Sequence, residues 1–253
     1  PARAWRRQRA LGREQRPFLA ERIIDEWLER LAPVSRDFER VLVTGIPPAL
    51  QSRLGGIGEE VRFADTIDAL ADEEGASLDL ILVMGELDAR DDLPLLLRII
   101  GSRLAPGGLL AGAMPGGQSL PALRAALHAA DREGGAFAAR SHPRIEPGAL
   151  ANLLGEAGLA DAVVDVDRVT VRYRGLDRLV ADLRDHAATN VLLARPRRGF
   201  GKAALETARA AFMQAGDGSA TPERVDILHY AAWATRAPAV ERGERRAVPL
   251  ELP

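Results

Sequence analysis

The chain has no cysteine in its 253 residues. That excludes disulfides, thiolate metal sites and a thiol nucleophile, and it leaves the redox compartment unread. Histidine is almost as scarce. His128, His142, His186 and His229 are the four present, none at metal-ligand spacing on one helix face, so no metal is expected. Lysine is reduced to Lys202 among 34 basic residues; this arginine bias, with abundant alanine and glycine, points to a GC-rich bacterial genome and carries no chemistry. No apolar run approaches the roughly 20 residues that cross a bilayer, and no charged-then-apolar leader opens the sequence. A cytoplasmic location is the expectation. Segregated charge is missing too: the formal net charge is −2, which argues against a nucleic-acid partner.

What is present is an ordinary globular composition, 47% hydrophobic and 28% charged, over a length that fits one large domain. The stretch 41–50, Val-Leu-Val-Thr-Gly-Ile-Pro-Pro-Ala-Leu, organises the rest. Its apolar β-favouring residues run into Gly45 and a proline pair, which predicts a buried strand ending in a tight turn, with a helix just beyond. In a doubly wound α/β domain, that junction is where a nucleotide-like ligand meets free helix N–H groups.

Before it, residues 1–16 are arginine-rich and acid-poor, which fits a transit peptide or an anionic-surface binder but reads first as a solvated, partly frayed helix face. Phe18, Ile23, Ile24, Trp27, Leu28 and Leu31 recur at helical spacing up to Pro33 and predict a docked amphipathic helix. After it come a short helix over 49–54, a strand over 60–64 and a helix over 66–74. The continuous apolar run 78–84 is a central parallel strand. A helix over 93–104, a turn over 105–108, a strand over 109–114 and helices over 120–134 and 148–157 follow. Two β segments, 162–166 and 168–173, precede helices over 175–186 and 202–214, a last apolar segment over 224–235 and an irregular tail over 238–253. The alternation predicts a doubly wound, mostly parallel α/β sheet. A helical extension over 1–40, an α/β core over 41–174 and a helical addition with a tail over 175–253 are the expected divisions.

Leu-Ala-Pro-Gly-Gly-Leu-Leu (104–110), running into Gly-Ala-Met-Pro-Gly-Gly (112–117), resembles the helix-to-strand step of class I S-adenosylmethionine (SAM) methyltransferases. Ser119, Leu120, Leu123, Arg124 and the run 132–135 narrow the resemblance. So do 165–176, 182–184, Thr189-Asn190, 217–221, Ala232-Trp233 and 238–243. They resemble the subgroup holding the biotin-pathway malonyl-carrier methyltransferase relatives and the mitochondrial complex I assembly factor that hydroxylates an arginine. The resemblance implies a Rossmann-like methyltransferase fold over the whole chain.

The cofactor half departs from that pattern. The family's strand-borne acid falls on Leu42, and its three glycine positions fall on Thr44, Ile46 and Pro48; shifting by one restores only Gly45. Pro47 and Pro48 also lack the N–H groups a ligand-cradling turn supplies. Side chains at 44, 46 and 48 are expected to stand where the ligand would lie, and the segment 44–79 is short by about one strand-helix step. After Met84, where the family has a His-Trp pair, the chain reads Gly85-Glu86-Leu87-Asp88-Ala89-Arg90.

By resemblance, the cofactor positions are Gly45, Asp65, Met84 and Gly85. Asp65 is either a ribose-binding acid or an N-cap for the helix at Thr66. Glu86 and Asp88, with Asp91 and Asp92, form an acidic rim that either orients a substrate or is a solvated loop; Gly116 and Gly117 either admit a substrate backbone or form a plain turn. Tyr173 and Trp233 read as core or interface aromatics, and no catalytic residue is assigned. Two functions stand open. One is a methyltransferase-fold protein with a degraded SAM site that binds a protein partner, as in respiratory-complex assembly, with no cofactor. The other is an active SAM-dependent methyltransferase, or a hydroxylase derived from one, acting on a protein side chain or carrier-bound acid.

Overall fold

One sheet of six strands carries the fold. In chain order they are β1 (Arg40–Thr44), β2 (Glu60–Ala64), β3 (Leu78–Met84), β4 (Leu104–Gly116), β5 (Leu159–Tyr173) and β6 (Thr221–Ala234). Their order in space is β2-β1-β3-β4-β6-β5. The first four run parallel, and β6 pairs antiparallel with both β4 and β5. This computed structural model describes residues 18–135, 137–186, 188–192 and 194–235. The expected N-terminal arginine face and C-terminal tail, including 238–243, lie outside them.

Helices cover both faces of the sheet, as the alternation predicts. They are α1 (Phe18–Leu31), α2 (Pro48–Gln51), α3 (Leu93–Arg103), α4 (Pro121–Glu133), α5 (Pro147–Glu156), α6 (Leu176–Asp185) and α7 (Lys202–Gln214). Successive residues of a strand point to opposite faces. Val41, Val43, Leu80 and Leu82 therefore pack with α1, α4, α6 and α7, while Leu42, Ile81 and Val83 pack with α3 and α5. Proline at the first or second position opens α2, α3, α4 and α5, where its missing N–H costs no helical bond.

Four expectations need correction. The helix over 66–74 is only a 3₁₀ turn, Ile67–Asp72. The turn over 105–108 is folded into β4, where Gly107 adopts φ 74° and the register against β3 slips between Leu78 and Leu80. The two segments after 160 are one 15-residue strand, β5, continuous except for a shift between Ala160 and Val163. Finally, the part after residue 175 is not wholly helical: β6 is threaded into the sheet between β4 and β5. The core over 41–174 is therefore not closed without it. A strand buried on both faces shows no clean alternation, which is why 224–235 reads only as an apolar segment. Between β1 and β3 the chain supplies a single strand, β2, and it forms the sheet's edge, in keeping with the shortened segment 44–79.

Helix α1 is seated on the sheet by Ala20, Ile23, Ile24 and Trp27. Arg22 pairs with Asp167 at 2.6 Å and Arg30 with Asp165 at 2.5 Å across the gap to β5. Both arginines are well exposed, so each pair contributes at most about 1 kcal/mol. Burying an indole is worth several times that. Trp27→Ala is expected to cost about 3 kcal/mol in urea unfolding and Arg22→Ala less than about 1 kcal/mol; equal losses would contradict an apolar seat.

Candidate functional site

The parallel strands β1, β3 and β4 point their C-terminal ends at a cavity of about 150 Å³. Gly45, Pro47, Met84, Gly85, Ala113 and Met114 line its sheet side. Leu19, Ala20 and Ile23 of α1 and Leu179, Asp182 and Leu183 of α6 close it from above. Gly45 and Gly85 both sit in the left-handed region, at φ 79° and 60°, where a side chain is strained. Gly85 is fixed there by its N–H donating to the Ala113 carbonyl at 2.7 Å. A Cβ added to it would meet nothing within 4 Å.

Three of the four expected cofactor residues, Gly45, Met84 and Gly85, thus come together around one space. Asp65 does not join them. It lies on the exposed bend after β2, and the 3₁₀ turn that follows has Thr66 at its cap position. The carboxylate that caps this turn belongs to Glu86, whose Oε2 accepts from the Ile67 N–H at 2.9 Å. The expected obstruction is also placed differently. Ile46 and Thr44 are buried in the protein, and Pro47, with the lid residues of α1, faces the cavity instead.

The acidic rim divides. Glu86 is buried under the sheet's end. Asp88 forms an ion pair with Arg144 at 3.2 Å, the two side chains only 2% and 12% exposed, and Arg144 reaches the cavity wall. Asp91 and Asp92 are exposed, and Asp92 is bound by Arg90, which holds its carboxyl below the usual range. Gly116 and Gly117 do not line the cavity. A Cβ on Gly116 would lie 2.4 Å from Leu228 Cδ1, and one on Gly117 2.9 Å from Asp226 Oδ2. Both glycines therefore serve the close approach of β6.

Sequence reasoning passed over the polar end of the cavity. Tyr173, Asp182, Asp185 and His186 line it. Burial and the neighbouring Asp182 carboxylate, which accepts from its hydroxyl, push the Tyr173 phenol up. The only signal for this cluster was the position of Tyr173 and Asp182 within the family-like stretch.

A second cavity, of about 110 Å³, lies between α1 and β4, β6 and β5, lined by Trp27, Arg30, Leu31, His229 and Trp233 among others. Trp27 and His229 are each 2% exposed. Trp27 Nε1 and both ring nitrogens of His229 have no hydrogen-bond partner among the described residues. Burial, then Arg30, pulls the His229 pKa down against Glu26, Asp167 and Asp165. Among the described residues no group of His, Asp and Glu could hold a metal ion, and no helix is long and apolar enough to cross a membrane.

This parallel sheet with one reversed strand, and a cavity over the ends of its first strands, is the class I SAM-dependent methyltransferase fold. A candidate methyltransferase of Bacillus halodurans superposes with a TM-score of 0.52 over 83% of this chain and 98% of its own, at 11% identity. The YcgJ protein of Bacillus subtilis gives 0.51 over 85% and 98%, at 10% identity. At the level of sequence the chain is a relative of the mitochondrial arginine-hydroxylase NDUFAF5 proteins. It is 32% identical to that of Rattus norvegicus over 190 residues, 70% of this chain and 55% of the relative. With that of Danio rerio it is 39% identical over 128 residues, 48% and 40% of the two chains. The chain therefore spans about half the length of these relatives or less. No protein-family model matches it.

Two outcomes test the geometry. Removing one partner of a buried ion pair strands the other charge, so Asp88→Asn is expected to cost about 3 kcal/mol, and Asp91→Asn at the exposed rim under about 0.5 kcal/mol. His229 has a depressed folded pKa, so the unfolded chain takes up its proton first as pH falls. Its contribution is fully present above the ordinary value near 6.5 and is lost as pH drops through the folded pKa. The urea midpoint is expected to fall between pH 7 and pH 5.5, and His229→Phe to flatten that slope; an unchanged slope in the variant would refute the assignment.

Proposed function

We propose that this chain keeps the methyltransferase fold as a scaffold for binding a protein partner, in the manner of an assembly factor, and that its cofactor site no longer holds SAM. The observation that carries this reading is the turn after β1. Pro47 and Pro48 supply no N–H, and α2 is a single turn of four residues without a side-chain cap, so few free donors face the place where a ligand's carboxylate would lie. The lining supports the same reading: Leu19, Ala20 and Ile23 of α1 and Leu179 and Leu183 of α6 stand over this cavity and bring no donor to it. Kinship with the arginine-hydroxylase NDUFAF5 proteins, together with the resemblance to a complex I assembly factor, supports a respiratory-chain protein as the partner, and the arginine, alanine and glycine bias a bacterial source.

The same kinship favours a second reading, an active SAM-dependent methyltransferase or methyltransferase-derived hydroxylase acting on a protein side chain or a carrier-bound acid. Tyr173, Asp182 and His186 at the cavity's polar end are the groups such a reaction would use.

Calorimetry separates the two. Each charged ligand group left without donors loses on the order of 1–3 kcal/mol, and micromolar binding is only about −8 kcal/mol, so SAM and S-adenosylhomocysteine are expected to give no measurable heat and no thermal shift. A dissociation constant below about 50 μM for either would restore the enzyme reading. Failure to recover any stable protein partner from the native bacterium would count against the scaffold.

A further inference from the structure

The connections that leave α4 and α6 are stripped of acid. Neither 134–145 nor 187–205 contains an aspartate or glutamate, where the 36 acidic residues of the chain, evenly spread, would place about four. The fold brings these two connections together. Asn190 Nδ2 donates to the Ala139 carbonyl at 2.7 Å and the Val191 N–H to His142 Nε2 at 2.9 Å. Arg140 Nε donates to Asp131 of α4 at 2.5 Å, and its guanidinium lies 3.8 Å over the Phe200 ring.

That stack satisfies Arg140 and leaves the cations around it over. Arg132 at the end of α4, with Arg197, Arg198 and Lys202 on either side of Phe200, are all exposed, and none of the four has an ion-pair partner among the described residues. Glu133 follows Arg132, but consecutive residues of a helix do not face each other. Phe137 stands in the first connection. At 75% it is the most exposed large apolar side chain among the described residues, and the Ala138 N–H beside it donates to the Asp131 carboxylate at 3.4 Å, which ties it to the corner that holds Arg140.

Unpaired cations on a chain of net charge −2 call for an anionic occupant. An acidic protein segment is typically held by a sheet edge or a groove that fixes its backbone, and these are irregular connections. An anionic bilayer asks only for exposed cations and an apolar side chain to seat at the headgroup boundary.

We propose that this corner docks on an anionic lipid surface, Phe137 entering the headgroup layer and Arg132, Arg197, Arg198 and Lys202 lying over the lipid phosphates. Such docking goes beyond the scaffold reading and does not depend on whether SAM is held.

Co-sedimentation of the whole chain tests it, with vesicles of phosphatidylcholine alone against phosphatidylcholine carrying about 30% phosphatidylglycerol. The anionic vesicles are expected to bind about tenfold or more tightly, and the preference to shrink below about twofold in about 0.5 M salt. Arg197→Glu is expected to weaken anionic binding about tenfold and Phe137→Ser about fivefold or more. Arg98→Glu makes the same charge change on the exposed side of α3, across the sheet, and is expected to weaken it less than about twofold. All three variants keep the arginines of 1–16, so the contrast isolates the corner, and all three positions are exposed, so the fold is not at stake. Equal binding to the two vesicles, unchanged binding in Arg197→Glu or Phe137→Ser, or an equal loss in Arg98→Glu and Arg197→Glu would overturn the assignment. So would binding of a polyglutamate peptide with no binding to anionic vesicles, which would make the occupant an acidic protein segment.

Discussion

The structure depends on one strand being laid against the grain. β6 runs antiparallel between β4 and β5, and β4 admits it because two of the residues that pair with β6 have no side chain. At Gly112, a Cβ would lie 2.1 Å from the Tyr230 hydroxyl; at Gly116, 2.4 Å from Leu228. Tyr230 therefore lies across Gly112, and β6 can approach β4 closely there. The same strand supplies polar groups where α4 begins. Leu120 precedes that helix in the left-handed region, at φ 60°, and has no polar side chain to cap it. Glu223 does this from β6, accepting from the Ala122 and Leu123 N–H groups at 3.2 and 2.8 Å. Asp226 accepts from the Gln118 N–H at 3.0 Å. Burial pushes the Glu223 carboxyl up in spite of those donors. Hydrogen bonds to a charged acceptor are worth about 1.5–3 kcal/mol, enough to make the capping worthwhile.

That placement builds the floor of the site. Ser119 and Leu120 on one side, and Val225 and Ile227 on the other, line the cavity, and they meet because Ser119 Oγ donates to the Gly116 carbonyl at 2.7 Å and accepts from the Asp226 N–H at 2.9 Å. Ser119 and Asp226 are 107 residues apart in sequence, yet they meet at a single corner in space.

Much of the frame was legible in the sequence. Strand β3 was marked by an uninterrupted apolar run, β1 by its glycine and proline stop, and α1 by apolar residues at helical spacing ahead of Pro33. What was not legible is non-local. Nothing in 224–235 says that it pairs between two strands far away in the chain, because doubly buried strands lose their period. For two of the rim acids the solvated alternative fails for a related reason. Glu86 and Asp88 stand in a polar stretch that looks solvated, but their partners, the Ile67 N–H and Arg144, come from segments that only the fold brings near. Of the expected cofactor positions, Gly45, Met84 and Gly85 meet at one cavity because strand ends in such sheets converge. Asp65 stands outside its lining, at the end of the edge strand β2.

Helix α1 ties these pieces together. Leu19, Ala20 and Ile23 wall the cavity over Gly45, while Trp27, Arg30 and Leu31 wall the second one over His229. The helix has 14 residues, so it is about 21 Å long, and its backbone hydrogen bonds make it stiff over that span. A stiff rod cannot lift from one cavity and stay fully seated on the other. Its apolar seat runs from Ala20 through Ile23 and Ile24 to Trp27, and at the Trp27 end the indole Nε1 and both ring nitrogens of His229 lack partners among the described residues. Both cavities therefore depend on the seating of one helix, and neither of its walls can be displaced on its own.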